Sequence, residues 1–258
     1  MSLSSGSWSA IDESFVADGE KVIRFLGSAE FGDAATNLTY EFNIGMAHPN
    51  KEIFVLAAGR TFSNPGPTAN GVTVGGLVMT ESADSLNHNH ESVPGPPFNP
   101  DSVAAQGWCF YRTVSDLSGI QEVSFTVSGG SFYAPYSGMA AYAVYNRPNI
   151  GTDRIDFKSA GQRDNSYQGG GDDGPVTLGS LTINANQFWL GMAAQGTGVS
   201  AYTGTPTDAG ALSDAGNGGT AYYSFCHRPF QTGTTILSTD SWTYSNQAEA
   251  GAAAWIFG

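Results

Sequence analysis

The sequence predicts an all-β protein, folded as a jelly-roll-like antiparallel β-sandwich with long loops and an N-terminal arm. Apolar residues recur at a period of two in many short runs, which is the pattern of strands with one face in a core. Gly, Pro, Asn and Ser separate those runs, as turns between strands require. The best helical candidates, residues 83–86 and 207–215, are both short.

Two parts of the chain are predicted, an arm over residues 1–18 and a single β-sandwich domain over residues 19–258. The arm is rich in Ser, Gly and Asp, but it also carries Trp8 and Phe15. Because such large apolar side chains are costly to leave in water, we expect the arm to dock on its own domain or on a neighbouring subunit.

The strand predictions rest on two kinds of run. In the first kind one face is apolar, as where Val123, Phe125 and Val127 alternate with polar residues. In the second kind both faces are apolar, as in residues 53–56, which indicates a strand in the middle of a packed sheet. In chain order, the predicted strands are 21–26, 38–44, 53–59, 72–74, 77–79, 107–113, 121–127, 139–145, 155–158, 176–178, 181–183, 188–194, 221–226, 235–238 and 252–257.

Turn residues predict two tight hairpins. Gly75 and Gly76 separate one pair of short apolar runs, and Gly179 and Ser180 separate another. Both dipeptides suit the two-residue turns that join antiparallel strands.

Two pairs of segments resemble each other within the chain. Residues 50–58 are similar to residues 186–194, and residues 141–148 are similar to residues 222–229. Because the two pairs have different offsets, they do not define one repeat, and we interpret them as recurring strand types in a two-sheet sandwich.

Charge and hydropathy limit the partners of the chain. The net charge of −13 is unfavourable for nucleic acid, which is bound by clustered Lys and Arg. No apolar run approaches the roughly 18 residues that span a bilayer. We therefore expect neither a nucleic-acid partner nor membrane insertion. Cys109 and Cys226 lie in apolar-aromatic runs, which predicts two buried free thiols, although a disulfide between them stays open.

Metal ligands are predicted at two places, and no cofactor is predicted. On a strand, His88 and His90 would face the same side and would need a third ligand from elsewhere. Asp172 and Asp173 follow a glycine triplet and offer loop carboxylates of the kind that calcium prefers. Asp214 lies in a similar Gly/Ala-rich loop. Each of these segments also reads as a solvated polar loop.

No catalytic residue is predicted. The chain has no Gly-x-Ser-x-Gly motif, so no serine nucleophile is indicated. A glycosidase needs two opposed carboxylates, and the candidates Glu41 and Glu122 lie on the polar faces of predicted strands, where a solvated surface is the simpler reading.

Aromatic residues in long loops are the candidate ligand-binding groups. Tyrosine exposed in a loop stacks on sugar rings or anchors a protein interface. The candidate residues are Tyr133, Tyr136, Tyr167 and Tyr202.

The pattern of strands and turns resembles that of accessory β-sandwich virion proteins of tailed bacteriophages. The resemblance lies in residues 40–45, 53–60, 71–76, 188–194 and 251–255. It implies a capsid-decoration, head-fibre or tail-fibre component, and it transfers no catalytic residue.

We therefore expect a non-enzymatic virion protein, made in the host cytoplasm, because residues 1–8 lack the features of a signal peptide. Its expected partners are other virion proteins, through Trp8 and Phe15 of the arm, further copies of itself in a homo-oligomer, and a glycan of the host surface. Two alternatives stay open, a lectin-like carbohydrate-binding module and a β-sandwich hydrolase.

Overall fold

The computed structural model describes residues 16–31, 36–60, 67–89, 103–132, 137–162, 176–195, 205–206, 212–215, 223–243 and 250–258. Within these residues every regular element is a β-strand and all the sheets are antiparallel, so the all-β prediction is confirmed. Leu212–Ala215, in the second helical candidate, forms a strand. The described part of the chain contains no helix with the length and apolar character that crossing a membrane requires.

The first half of the chain forms two sheets. Its strands are β1 (Val22–Glu30), β2 (Asn37–Asn43), β3 (Lys51–Arg60), β4 (Thr68–Val74), β5 (Leu77–Val78), β6 (Thr80–Glu81), β7 (Leu86–Asn89), β8 (Val103–Thr113), β9 (Ile120–Ser128) and β10 (Ser137–Tyr145). Inner sheet 1 has the order β1-β10-β3-β8-β6, and β7 also pairs with β8. Outer sheet 1 has the order β2-β9-β4-β5.

The second half also forms two sheets. Its strands are β11 (Asp156–Gln162), β12 (Val176–Ile183), β13 (Phe188–Gln195), β14 (Thr205–Pro206), β15 (Leu212–Ala215), β16 (Tyr223–Arg228), β17 (Thr235–Thr243) and β18 (Ala250–Phe257). Inner sheet 2 has the order β11-β18-β13-β16-β15, and outer sheet 2 has the order β12-β17-β14.

The two halves share one strand arrangement. The order β1-β10-β3-β8 of inner sheet 1 becomes the order β11-β18-β13-β16 of inner sheet 2, strand for strand. The outer sheets correspond in the same way, β2-β9-β4 to β12-β17-β14. In each half the first strand pairs with the last, the second with the last but one, and the third with the strand before that. The chain therefore contains the same set of nested strand pairs twice.

The four sheets enclose three clusters of buried apolar residues. One cluster lies between the two sheets of the first half, and another lies between the two sheets of the second half. The middle cluster joins the halves, because it combines Phe54 and Leu56 of β3 with Leu190 and Met192 of β13. The described residues thus form a stack of four sheets, and the expectation of a two-sheet sandwich was wrong in the number of sheets.

Strand β3 shows why a run that is apolar on both faces belongs inside such a stack. Ile53 and Val55 face the first cluster, whereas Phe54 and Leu56 face the middle cluster. All four side chains are fully buried, as the sequence predicted for residues 53–56.

The middle cluster brings equivalent positions of the two halves together. Tyr142 on β10 pairs with Phe25 on β1, and Trp255 on β18 pairs with Phe157 on β11. The ring centroids are 5.6 Å apart in the first pair and 5.1 Å apart in the second. Because both pairs lie in the same cluster, the halves meet through the same face of the fold, as the subunits of a two-fold dimer do.

Two sequence predictions about single strands are confirmed. Val123, Phe125 and Val127 are buried on one face of β9 while their neighbours are more exposed. Gly75 and Gly76 form the turn between β4 and β5, with φ values of 54° and 79°. Positive φ at both positions is the type I′ geometry that glycine adopts without steric cost.

The predicted hairpin at Gly179 and Ser180 was wrong. Both residues lie inside the single strand β12, which pairs with β17 along its length. Gly179 has a φ of 80° and marks an irregularity in the register, so it accommodates a β-bulge there and not a chain reversal.

One of the two internal similarities corresponds to the shared arrangement. Residues 50–58 enter β3 and residues 186–194 enter β13, which are equivalent strands. The turns before them match, because Lys51 N donates to His48 O (3.2 Å) and Gln187 N donates to Asn184 O (3.1 Å). Residues 141–148 include the end of β10, and residues 222–229 include β16. These two strands occupy different positions in the shared strand order, so that similarity reflects strand type alone.

The two cysteines are free and buried, as predicted. Cys109 lies in the middle cluster, whereas Cys226 lies in the cluster of the second half. The side chains face different cores, so a disulfide between them does not form in this structure.

Residues 16–18 of the predicted arm lie against the first half. The Val16 side chain is buried in the cluster of that half. The Asn146 side chain donates to Ala17 O (3.1 Å) and to Glu20 O (2.8 Å). Residues 1–15, with Trp8 and Phe15, lie outside the described residues.

Candidate functional site

Most residues of the sequence-predicted sites lie outside the described part of the chain. His88 lies on β7, where its backbone pairs with Ala105. The others lie outside the described residues, and their roles stay predictions: Tyr133, Tyr136, Tyr167, Tyr202, His90, Asp172 and Asp173. The described residues contain no group of three or more His, Cys, Asp or Glu side chains that could hold a metal ion.

A buried polar cluster lies between the two halves. His227 Nδ1 lies 2.8 Å from Asp214 Oδ2 and 3.0 Å from Asp214 Oδ1. The Tyr142 hydroxyl, which comes from the first half, donates to Asp214 Oδ2 at 2.9 Å. All three side chains are buried, at 7% exposed or less. One carboxylate therefore satisfies a donor from each half of the molecule.

Burial governs the ionisation of this cluster. Desolvation raises the pKa of Asp214, and the hydrogen bonds from His227 and Tyr142 partly offset that rise. Desolvation, together with the negative charge of Asp214, raises the pKa of Tyr142 well above its ordinary value. The tyrosine hydroxyl therefore keeps its proton and acts as a hydrogen-bond donor.

The equivalent position in the other half makes the reciprocal contact. Trp255 Nε1 donates to the backbone oxygen of Asp84, 3.0 Å away, in the segment between β6 and β7. Tyr142 and Trp255 thus each place a buried ring in the middle cluster and a donor on an edge segment of the opposite half. A buried Tyr or Trp needs such a partner for its polar atom.

A second group of buried polar side chains lies beside the segment that connects β10 to β11. Arg147 Nη1 lies 3.2 Å from Glu52 Oε2, and both side chains are no more than 1% exposed. The guanidinium also donates to Gly258 O at 3.0 Å. It lies over the rings of Phe54 and Phe257, 5.6 Å and 5.2 Å from their centroids. This arginine therefore joins β3, the connecting segment and the end of β18.

Glu52 is held by more than its partner arginine. Its Oε1 accepts a hydrogen bond of 2.7 Å from Gly151 N. Desolvation raises the pKa of Glu52, while Arg147 and the Gly151 hydrogen bond act in the opposite direction. A charge pair this deep stabilises one arrangement of the surrounding segments, because losing either partner leaves the other charge buried alone.

The Asp214 and His227 pair has part of the geometry of a catalytic base. A carboxylate on Nδ1 orients the imidazole and leaves Nε2 as the other reactive nitrogen. A cleft of about 210 Å³, lined by Thr80, Tyr111, Arg112, Thr113 and Gly151, does not include this pair. The pair is buried at the interface, where Asp214 also accepts a hydrogen bond from Tyr142 of the first half. The contact it makes in this structure therefore links the two halves.

The structure brings together Glu41 and Glu122, the two carboxylates considered for glycoside hydrolysis. They are directly opposite neighbours on β2 and β9, and both are exposed on the outer face of outer sheet 1. A glycosidase holds its sugar between two carboxylates, whereas these two stand side by side on a sheet surface. The sequence placed each residue on a polar face but could not show that they are neighbours.

No protein-family model matches this chain, and no curated protein matches it. The interpretation of the site residues therefore rests on their geometry alone.

Proposed function

We propose that each half of the chain is a jelly roll and that the protein is a non-enzymatic structural component of a bacteriophage virion. The observation that supports this proposal most directly is the nested pairing of the strands, in which β1 pairs with β10, β2 with β9, β3 with β8 and β4 with β5. A jelly roll arises when a long antiparallel ribbon wraps into two sheets, which pairs the strands in this nested way. Viral capsid and lectin domains are common users of that architecture.

The packing of the two halves supports a structural role. Three apolar clusters run through the four-sheet stack, and the polar groups between the halves satisfy each other. Such close packing makes the interior rigid. At one edge of each sheet of the first half, strands β5 and β6 are only two residues long, which limits edge-to-edge pairing at those two edges.

The proposal includes location and partners. The protein is made in the host cytoplasm and assembles into the particle as a homo-oligomer, with Trp8 and Phe15 of the arm contacting other virion proteins. Capsid decoration, head fibre and tail fibre are the roles that fit this architecture, and contact with a host-surface glycan is compatible with each.

The test is the composition of particles from the source of the sequence. Particles purified by density gradient are expected to contain the chain in a fixed ratio to the major capsid protein, measured by quantitative mass spectrometry. Electron microscopy of the same particles is expected to show density that fits the four-sheet stack. Particles that lack the chain, with the protein found only in the soluble fraction, would overturn the proposal.

A further inference from the structure

The outer face of outer sheet 1 carries an unbalanced charge arrangement. Glu41 and Glu122 are directly opposite across β2 and β9, and neither carboxylate pairs with a cation among the described residues. Like charges at directly opposite positions destabilise a sheet. The four strands of this sheet contain no Lys or Arg that could compensate. The face therefore retains a repulsion that a cationic partner would relieve.

Exposed apolar side chains flank these carboxylates. Ile120 lies on the same face of β9, two residues before Glu122, and is 58% exposed. Val78 on the edge strand β5 is 66% exposed, and it pairs with Thr73, whose side chain points to the same outer face. Met46, 58% exposed, follows Gly45, whose oxygen accepts a hydrogen bond of 2.9 Å from Gly119 N, next to Ile120. We call Glu41, Met46, Val78, Ile120 and Glu122 together the acidic-apolar patch.

A buried lysine holds the loops at this patch in place. Lys51 is fully buried, and its Nζ donates to Met46 O and Leu117 O at 2.7 Å each and to Ile44 O at 3.3 Å. These carbonyls belong to the two loops that present Met46 and Ile120. A surface whose loops are already fixed loses less conformational entropy on binding.

The turn of the second half that is equivalent to the Lys51 turn is built from different residues. At the equivalent turn, Gln187 replaces Lys51, and its side-chain Oε1 accepts a hydrogen bond of 2.7 Å from Asn184 N. That turn is built from Asn184, Ala185 and Asn186, with no large apolar side chain. Ile155, which is 52% exposed, lies near this turn, because a Cβ atom at Gly258 would lie 2.5 Å from Ile155 Cδ1 and 3.3 Å from Gln187 Cγ. The buried lysine that fixes the two loops of the acidic-apolar patch therefore has no counterpart at the equivalent turn.

We propose that the acidic-apolar patch is a docking surface for a different virion protein, one that presents Lys or Arg beside apolar side chains. A second copy of this chain is a poor occupant, because joining two such patches would bring four carboxylates together between molecules of net charge −13. A basic and apolar partner would neutralise Glu41 and Glu122 and cover Ile120 and Val78. This inference rests on the proposed virion role.

The experiment uses particles assembled without this chain, to which the purified full-length protein is added back. Occupancy is measured against protein concentration at several salt concentrations. Glu41→Gln with Glu122→Gln is expected to weaken rebinding about tenfold and to reduce its dependence on salt. Ile120→Ser is expected to weaken rebinding with little change in salt dependence. Glu30→Gln, which neutralises an exposed carboxylate on β1, is the matched control and is expected to rebind as wild type.

The outcomes separate the two proposals. If the wild-type chain rebinds and the patch variants rebind equally well, the docking surface is refuted while the virion role stands. If the wild-type chain fails to rebind and is absent from native particles, the virion role fails and the docking inference fails with it. Folding is checked by thermal unfolding, in which the Glu-to-Gln variants are expected to be no less stable than wild type, because they relieve a repulsion.

Discussion

Tyr142 and Trp255 occupy equivalent positions in the two halves, and each donates its side-chain hydrogen bond across the interface to the opposite half. Tyr142 reaches Asp214 Oδ2 at 2.9 Å, and Trp255 reaches the backbone oxygen of Asp84 at 3.0 Å. Each side chain buries a large ring with one polar atom, and in each case a hydrogen bond satisfies that atom. The acceptors differ, since one is a carboxylate that also binds His227 and the other is a main-chain carbonyl.

Removing the Tyr142 hydroxyl tests the contribution of this contact. Tyr142→Phe keeps the ring but leaves the buried Asp214 carboxylate without one of its donors. We expect a loss of about 1–3 kcal/mol in the free energy of unfolding, measured by urea denaturation. Tyr145→Phe is the matched control on the same strand, because the Tyr145 hydroxyl donates no hydrogen bond to a described residue. Equal stability of the two variants would contradict the role given to the Tyr142 and Asp214 contact.

The charge pair of Arg147 and Glu52 predicts a strongly non-additive double-mutant cycle. Arg147→Met leaves Glu52 buried without its counter-charge, and we expect a loss of about 3–5 kcal/mol. The double variant, Arg147→Met with Glu52→Gln, is expected to recover part of that loss because no unpaired charge remains. Thermal or urea unfolding of all four proteins supplies the cycle, and additive effects of the two substitutions would count against the pair.

Lys51 predicts a specific dependence of stability on alkaline pH. Burial lowers the pKa of Lys51 from 10.5 to about 8. Between these values the unfolded chain binds more protons than the folded chain, so this group makes the folded state more stable as the pH rises from about 8 to 10.5. Below the window the lysine is charged in both states, and above it the lysine is neutral in both.

The Lys51→Met variant lacks this titration. We expect the stability of wild type relative to the variant to increase across the same pH window by roughly 3 kcal/mol at most. Taking the difference between the two proteins removes the contribution of the tyrosines and of the other lysines. A difference in unfolding free energy that stays constant from pH 7 to pH 11 would show that Lys51 is not desolvated in the folded state.

Gly138 on β10 lies where the two halves approach each other closely. A Cβ atom at this position would lie 2.5 Å from Cζ of Tyr223, on strand β16 of the opposite half. Gly138→Ala is therefore expected to force the Tyr223 ring away and to cost about 1–3 kcal/mol. Gly233→Ala is the control, because a Cβ there meets nothing within 4 Å, and we expect a change within about 0.5 kcal/mol. Both are measured by urea unfolding.

The local features that the sequence predicted are those with short-range causes. The alternation of Val123, Phe125 and Val127 revealed a strand with one buried face because side chains alternate between the faces of a strand. The Gly75 and Gly76 turn followed from the need for positive φ. The same reasoning misjudged Gly179, since positive φ serves a bulge as well as a turn, and the difference depends on the partner strand.

The contacts of three carboxylates were beyond sequence reasoning for a different reason. Asp214 was read as a loop carboxylate, yet it is buried against Tyr142, 72 positions earlier in the chain. Glu41 and Glu122 were each placed on a polar face, but their pairing follows from the register of β2 and β9. Contacts of this kind are set by which strands become neighbours, and no local pattern encodes that.

By itself, the sequence indicated that the described residues are all-β, that β3 is buried on both faces and that Cys109 and Cys226 are buried. Only the tertiary structure decided that the two thiols are unpaired, that the strands form four sheets and that one arrangement occurs twice. The repetition is hidden because burial in an apolar cluster constrains size and polarity more than identity, so Tyr142 can match Trp255 and Phe54 can match Leu190. A hydrophobic pattern shows that a face is covered, whereas the identity of the covering sheet depends on contacts far apart in the chain.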